Sequence, residues 1–363
     1  MNRTLEPENF RPDCRATLIG SLPLTDYAAA LDLILQATPH IPLWPQLPAR
    51  TPVEGMMNQF IAGFPGIIEQ AETTYFDTST ANFETDLLAF YEDYLAASED
   101  PTGTAAERFA LDRERAGGIH VFKDTLPGLT APMAVKGQIT GPFTMLTGLT
   151  DAKKRLGFYD PTIHEMMVKG LAARAAWQVR YLRALQLPVL LFIDEPALAG
   201  LGSSSFIGVS TEAIGQDLSE VIDAIRTAGG LAGIHVCANT DWNLLLGLDL
   251  DILSFDAYGF FDRLLTCRPQ VLDFLKRGGM LAWGLIPTGD KELIRQETTA
   301  SLLDRFEQDA ARLAGTDLEI RDLLARVLIT PSCGTGSLPL DLARRVLDLT
   351  REVSTSLRQK YHL

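Results

Sequence analysis

Leu231-Ala-Gly-Ile-His-Val-Cys237 decides how this chain is read. Its apolar residues run without alternation, the pattern of a strand buried on both faces of a parallel sheet. The run ends in His235 and Cys237, two apart and therefore on the same side of the strand. The strand thus delivers an imidazole and a thiol together at its C-terminal end.

Working outward, similar short runs fall at 17–21, 41–44, 133–138, 189–193, 252–255, 280–284 and 326–330. Helical stretches separate them. Asp160-Pro161 predicts the start of a long helix to about Leu185, with Pro at the first position. Ser210 or Thr211 predicts a cap for a helix ending at Gly229-Gly230, and a last helix spans about 339–359. Eight strands alternating with helices predict a (β/α)8 TIM barrel. The segment at about 64–130, between the second and third strands, reads as an insertion, and 1–363 as a single domain. A doubly wound open sheet is the competing fold, weakened because no G-x-G-x-x-G or P-loop follows any predicted strand.

Composition narrows the function classes. The chain has 363 residues, 46% of them hydrophobic and 21% charged, with a net charge of −14. An acidic chain without a basic face is a poor nucleic-acid binder. The first eight residues, Met-Asn-Arg-Thr-Leu-Glu-Pro-Glu, have no apolar signal core, and no apolar run reaches the length of a membrane span. Four cysteines at these spacings do not make a disulfide framework. The expectation is a cytoplasmic protein with neither a membrane nor a nucleic-acid partner.

The polar residues at predicted strand ends are Ser21, Asp194, His235, Asp256 and Cys333, all on the face where such barrels carry their sites. His235, Cys237, Asp256 and Cys333 form a ligand set of one imidazole, two thiolates and a carboxylate, which suits Zn2+ rather than calcium or magnesium. Asp256 is the member that water or substrate could replace. In Asp194-Glu195 only one carboxylate can face the site; the other is free to cap a helix. Ile19-Gly20-Ser21 is a strand end with exposed backbone suited to a substrate carboxylate. Gln138-Ile-Thr-Gly-Pro142 reads equally as site lining or as a loop feeding a helix. Trp44-Pro45-Gln46-Leu47-Pro48 reads as pocket lining or packing. His164 reads as a solvated helix face.

In order along the chain, Ile-Gly-Ser (19–21), Thr-Gly-Pro (140–142), Asp-Glu-Pro-Ala-Leu (194–198), Ile-His-x-Cys (234–237) and Pro-x-Cys-Gly (331–334) resemble cobalamin-independent methionine synthase, specifically its catalytic C-terminal barrel. Uroporphyrinogen decarboxylase-like barrels are relatives of that fold. The resemblance implies that His235, Cys237 and Cys333 are zinc ligands and that Asp256 stands where the family uses Glu. It implies that Ile19, Gly20, Ser21 and Asp194 hold the backbone of homocysteine, with Glu54 as the candidate for a further homocysteine-binding carboxylate.

The chain also departs from that pattern. One barrel is expected in these 363 residues, without a counterpart of the family's N-terminal barrel. Its folate-contacting Trp is Gly148 here, its folate-side Glu is Gly200, and its proton-donating His has no equivalent in 283–289. The expected activity is therefore zinc-dependent methyl transfer to a small thiol, most simply homocysteine. Methylcobalamin or a corrinoid protein is expected as methyl donor rather than a folate. The alternatives are a uroporphyrinogen decarboxylase-like lyase, which needs arginines over the site, and a non-catalytic zinc barrel binding a thiol or corrinoid.

Overall fold

The computed structural model describes residues 10–70, 73–203 and 206–363. The first eight residues, read above for a signal core, lie outside them. In chain order the elements are α1 (Tyr27–Ala37), a hairpin of β1 (Ile67–Gln70) and β2 (Thr73–Phe76), α2 (Phe83–Glu99), α3 (Arg113–Thr125), β3 (Val135–Thr140), α4 (Pro142–Gly148), α5 (Pro161–Arg183), β4 (Val189–Asp194) and α6 (Thr211–Thr227). There follow β5 (Leu231–Val236), α7 (Trp242–Leu246), β6 (Ile252–Phe255), α8 (Ala257–Leu265), α9 (Arg268–Lys276), β7 (Met280–Ile286), α10 (Lys291–Gln296), α11 (Thr299–Ala314), α12 (Ile320–Leu324), β8 (Val327–Pro331) and α13 (Leu340–Tyr361).

Strands β3 to β8 form a parallel sheet in sequential order. Every residue of these six strands is buried, which is why β4 to β8 read as largely apolar runs, while β3 buries Lys136, Gln138 and Thr140 as well. One face packs on the helices. The other collects Leu190, Leu231, Ile252, Met280 and Leu328 with Ile41 and Phe10 in a separate apolar cluster. Helix ends follow local chemistry. The Asp160 side chain accepts from Thr162 and Ile163 N–H at the start of α5, and Ser210 accepts from Ala213 N–H at the start of α6.

The two earliest expected strands, 17–21 and 41–44, are not regular strands. They make isolated parallel bridges, Ala16 to Ile329, Leu43 to Lys136 and Ser21 to Gln46. A few backbone bonds support them: Thr17 N–H to Ile329 O and Ile329 N–H to Arg15 O (both 3.0 Å), Lys136 N–H to Pro42 O (2.9 Å), and Leu22 N–H to Gln46 O (3.0 Å) with Gln46 N–H to Gly20 O (3.2 Å). The cause is in the sequence. Pro42, Pro45 and Pro48 carry no N–H, so a continuous ladder cannot form there. The segment 64–130 carries the β1–β2 hairpin, α2, a 3-10 turn at Thr104–Phe109 and α3.

Two histidines outside the predicted site, His164 and His120, are partnered. His164 is not on a solvated face; its Nε2 lies 2.7 Å from Asp217 Oδ2 and its Nδ1 3.1 Å from Phe158 O, joining α5 to α6. His120 is buried between Tyr181 Oη and Leu111 O, each at 2.8 Å.

Candidate metal centre

The register of the sheet places the candidate ligands. Asp194 pairs with His235 across β4–β5, and His235 pairs with Ser254 across β5–β6. All three lie at or near the C-terminal ends of their strands. Cys237 follows β5 by one residue, and Cys333 follows β8 by two. The ligating atoms of His235, Cys237 and Cys333 all lie within 4.8 Å of one another.

Each ligand is prepared by its surroundings. His235 Nδ1 is 2.9 Å from Ser254 Oγ, and its Nε2 is buried with no hydrogen-bond partner. With Nδ1–H donated to the hydroxyl, the Nε2 lone pair is free for a metal. The thiol of Cys333 donates toward Cys237, and this contact, with the adjacent His235 acting in the same direction, pulls the Cys237 pKa down to about 4. The same contact pushes Cys333 up, because its proton is held by the neighbouring thiolate. A buried imidazole lone pair beside a thiolate and a thiol within a few ångströms fits a tetrahedral N/S-binding ion such as zinc.

The cluster lies in a cavity of about 520 Å³, a volume suited to a small ligand. Ile19, Ser21, Glu54 and Asp194 line it together with His235, Cys237 and Cys333. Gly20 lies between two lining residues, and its carbonyl accepts from Gln46 N–H at 3.2 Å. Asp194 is 8% exposed, and its Oδ1 has no partner. Burial pushes its pKa up to about 6, against the opposing pull of His235 and Lys136. Glu54 is buried and held at 2.7 Å by both Arg50 Nη1 and Tyr27 Oη.

Glu195 is the carboxylate that turns away. It accepts from Phe143 N–H (2.9 Å), Thr144 N–H (2.8 Å) and Thr144 Oγ1 (2.6 Å), capping α4. A Cβ on Gly141 would lie 2.1 Å from its Oε1, so glycine is needed there.

Asp256 is not brought into the ligand group. Its carboxylate accepts from Gly259 N–H at 2.8 Å and caps α8, and it does not line the cavity. An Asp directly before a helix is a preferred N-cap, and that local role holds the short side chain at the helix end. Burial pushes its pKa up to about 6.

Several contributors were not singled out from the sequence. Ser254 could have been found from strand register opposite His235. Met56, Pro196 and Ser337 line the cavity from loops with no distinctive pattern. Lys136 is fully buried within β3, where a strand lysine would be read as solvent-facing. Gln46 and Pro48 line the cavity, whereas Trp44 packs and donates Nε1–H to Gln178 Oε1 at 2.7 Å. Residues 138–140 belong to β3 and not to a loop.

No helix among the described residues is long and apolar enough to cross a membrane. The chain matches no protein-family model and no curated protein.

Proposed function

We propose that the chain is a zinc-dependent methyltransferase acting on a small thiol, with homocysteine as the acceptor that best suits its cavity. The observation that carries this reading is the close grouping of His235, Cys237 and Cys333 ligand atoms inside a lined cavity. In this reading those three residues hold the ion. Bound zinc stabilises a substrate thiolate at neutral pH.

The remaining steps belong to the protein. Asp194, buried with an unpartnered oxygen, receives the substrate ammonium. The Ile19–Ser21 turn receives the carboxylate, and Glu54 adds a second acidic surface, its charge balanced by Arg50. The walls exclude water and align the sulfur for in-line attack on a methyl carbon.

A corrinoid donor, free or protein-bound, is favoured over a folate by the filling of two positions. A Cβ at Gly148 would lie 2.5 Å from Met57 Sδ, and one at Gly200 would lie 2.7 Å from Phe206 Cε2. These are the places where the resemblance to methionine synthase expects folate contacts. The lyase alternative loses support because no arginine lines the cavity among the described residues.

The same reading takes the fold as a closed (β/α)8 barrel of the methionine synthase type, forming one domain. The bridges of Ala16 to β8, of Ser21 to Gln46 and of Leu43 to β3 support closure by two irregular members, with 64–130 inserted after the second.

The test is metal content followed by methyl transfer. About one zinc per chain is expected, lost in Cys237→Ser and Cys333→Ser, with methionine formed from homocysteine and methylcobalamin. Absence of zinc from freshly reduced protein overturns the metal centre. Turnover with methyltetrahydrofolate and none with methylcobalamin overturns the donor.

A further inference from the structure

Strand β3 carries three buried polar side chains on one side of the sheet, Lys136, Gln138 and Thr140. Each donates to a backbone carbonyl of the irregular N-terminal segments. Lys136 Nζ meets Ile19 O at 2.5 Å, Gln138 Nε2 meets Trp44 O at 3.1 Å, and Thr140 Oγ1 meets Met56 O at 2.7 Å. Ile19 and Met56 line the cavity, and Gln46 lies two residues from Trp44. These segments lack a regular ladder, so their placement needs bonds of another kind.

Lys136 stands out within this set. An ammonium is costly to bury, yet Lys136 has no exposed surface. Its surroundings are the Ile19 carbonyl, the Gln138 amide oxygen at 3.3 Å and the Phe192 ring at 4.5 Å. Burial lowers its pKa to about 8, and the charge of Asp194 on the adjacent strand works in the opposite direction. The packing is tight on the far side as well, since a Cβ on Gly20 would lie 2.4 Å from Gln46 Oε1 and 3.1 Å from Gln138 Cδ.

We infer that Lys136 is a positioning residue for substrate selectivity. Its ammonium fixes the Ile19–Ser21 turn from beneath, at the wall of the cavity that Asp194 also lines, and so sets the place of the amino-acid end of a substrate. Gln138 and Thr140 extend the same device up the strand to the loop carrying Glu54 and Met56. The inference rests on the thiol-binding reading of the cavity. It predicts that loss of Lys136 harms recognition of the amino-acid end of a thiol and spares recognition of sulfur.

The experiment uses the full chain loaded with cobalt(II), whose thiolate charge-transfer absorption reports sulfur binding. Homocysteine and 1-propanethiol are titrated separately into wild type and Lys136→Met. The expected result is unchanged cobalt stoichiometry, a propanethiol Kd within about twofold, and a homocysteine Kd raised at least about tenfold. Thr140→Val, a milder change, is expected to raise the homocysteine Kd about threefold with the same selectivity. If Lys136→Met does not fold, Thr140→Val decides alone. Equal effects on both thiols, or none on either, with cobalt retained, overturn the positioning role and leave the metal centre standing. Failure of wild type to take up cobalt overturns both.

Discussion

His235 Nδ1 sits 2.9 Å from the hydroxyl of Ser254, the residue directly opposite it across the β5–β6 ladder. This bond leaves Nε2 as the nitrogen available to a metal, and it fixes the ring in a fully buried strand. Second partners of this kind set both tautomer and orientation.

Ser254→Ala should therefore weaken metal binding by roughly 10–100-fold without unfolding the protein. Competition against a chromophoric chelator measures the change. An unaltered affinity would mean that packing alone orients His235.

Asp256→Ala should keep one metal per chain, because the Asp256 carboxylate caps α8 and stands outside the ligand group. Its cost should be helix stability, about 1 kcal/mol for a lost N-cap. Metal analysis beside urea denaturation separates the two effects, and loss of the metal would restore Asp256 as a ligand.

Glu195→Ala should be the more damaging carboxylate change. It strands two buried N–H groups and the Thr144 hydroxyl at the start of α4. A loss of about 3 kcal/mol is expected from buried donors left unpaired. Urea midpoints compared with wild type at constant slope give the value.

The His164–Asp217 contact predicts a pH dependence away from the metal. The hydrogen bond to Asp217 raises the His164 pKa above its ordinary 6.5, outweighing desolvation. A folded-state pKa above the unfolded one means that folding takes up a proton. The stabilisation is thus full below about pH 6.5 and fades as pH rises through the raised value. About 1 kcal/mol or less is at stake for a partly exposed pair. Asp217→Asn should flatten this part of the stability curve, and a slope unchanged by that substitution would exclude the pair as its source.

The sequence by itself determined the elements that depend on a few consecutive residues. Largely apolar runs mark β4 to β8, Asp160 and Ser210 mark helix starts, and His235-x-Cys237 must share one strand side because a strand repeats every two residues. It also supplied the candidates at strand ends. The tertiary structure alone decided which of them meet. Cys333 reaches Cys237 only because the sheet curves, whereas Asp256 is claimed by its own helix. Of two adjacent carboxylates, Asp194 enters the cavity and Glu195 caps α4, a choice set by strand register. The segment at 41–44 fails as a regular strand because prolines in and just after it remove donors, and Lys136 is buried beneath the turn it holds. The division has a physical reason. Propensity and capping are short-range, while shared burial depends on register and curvature summed over the whole sheet.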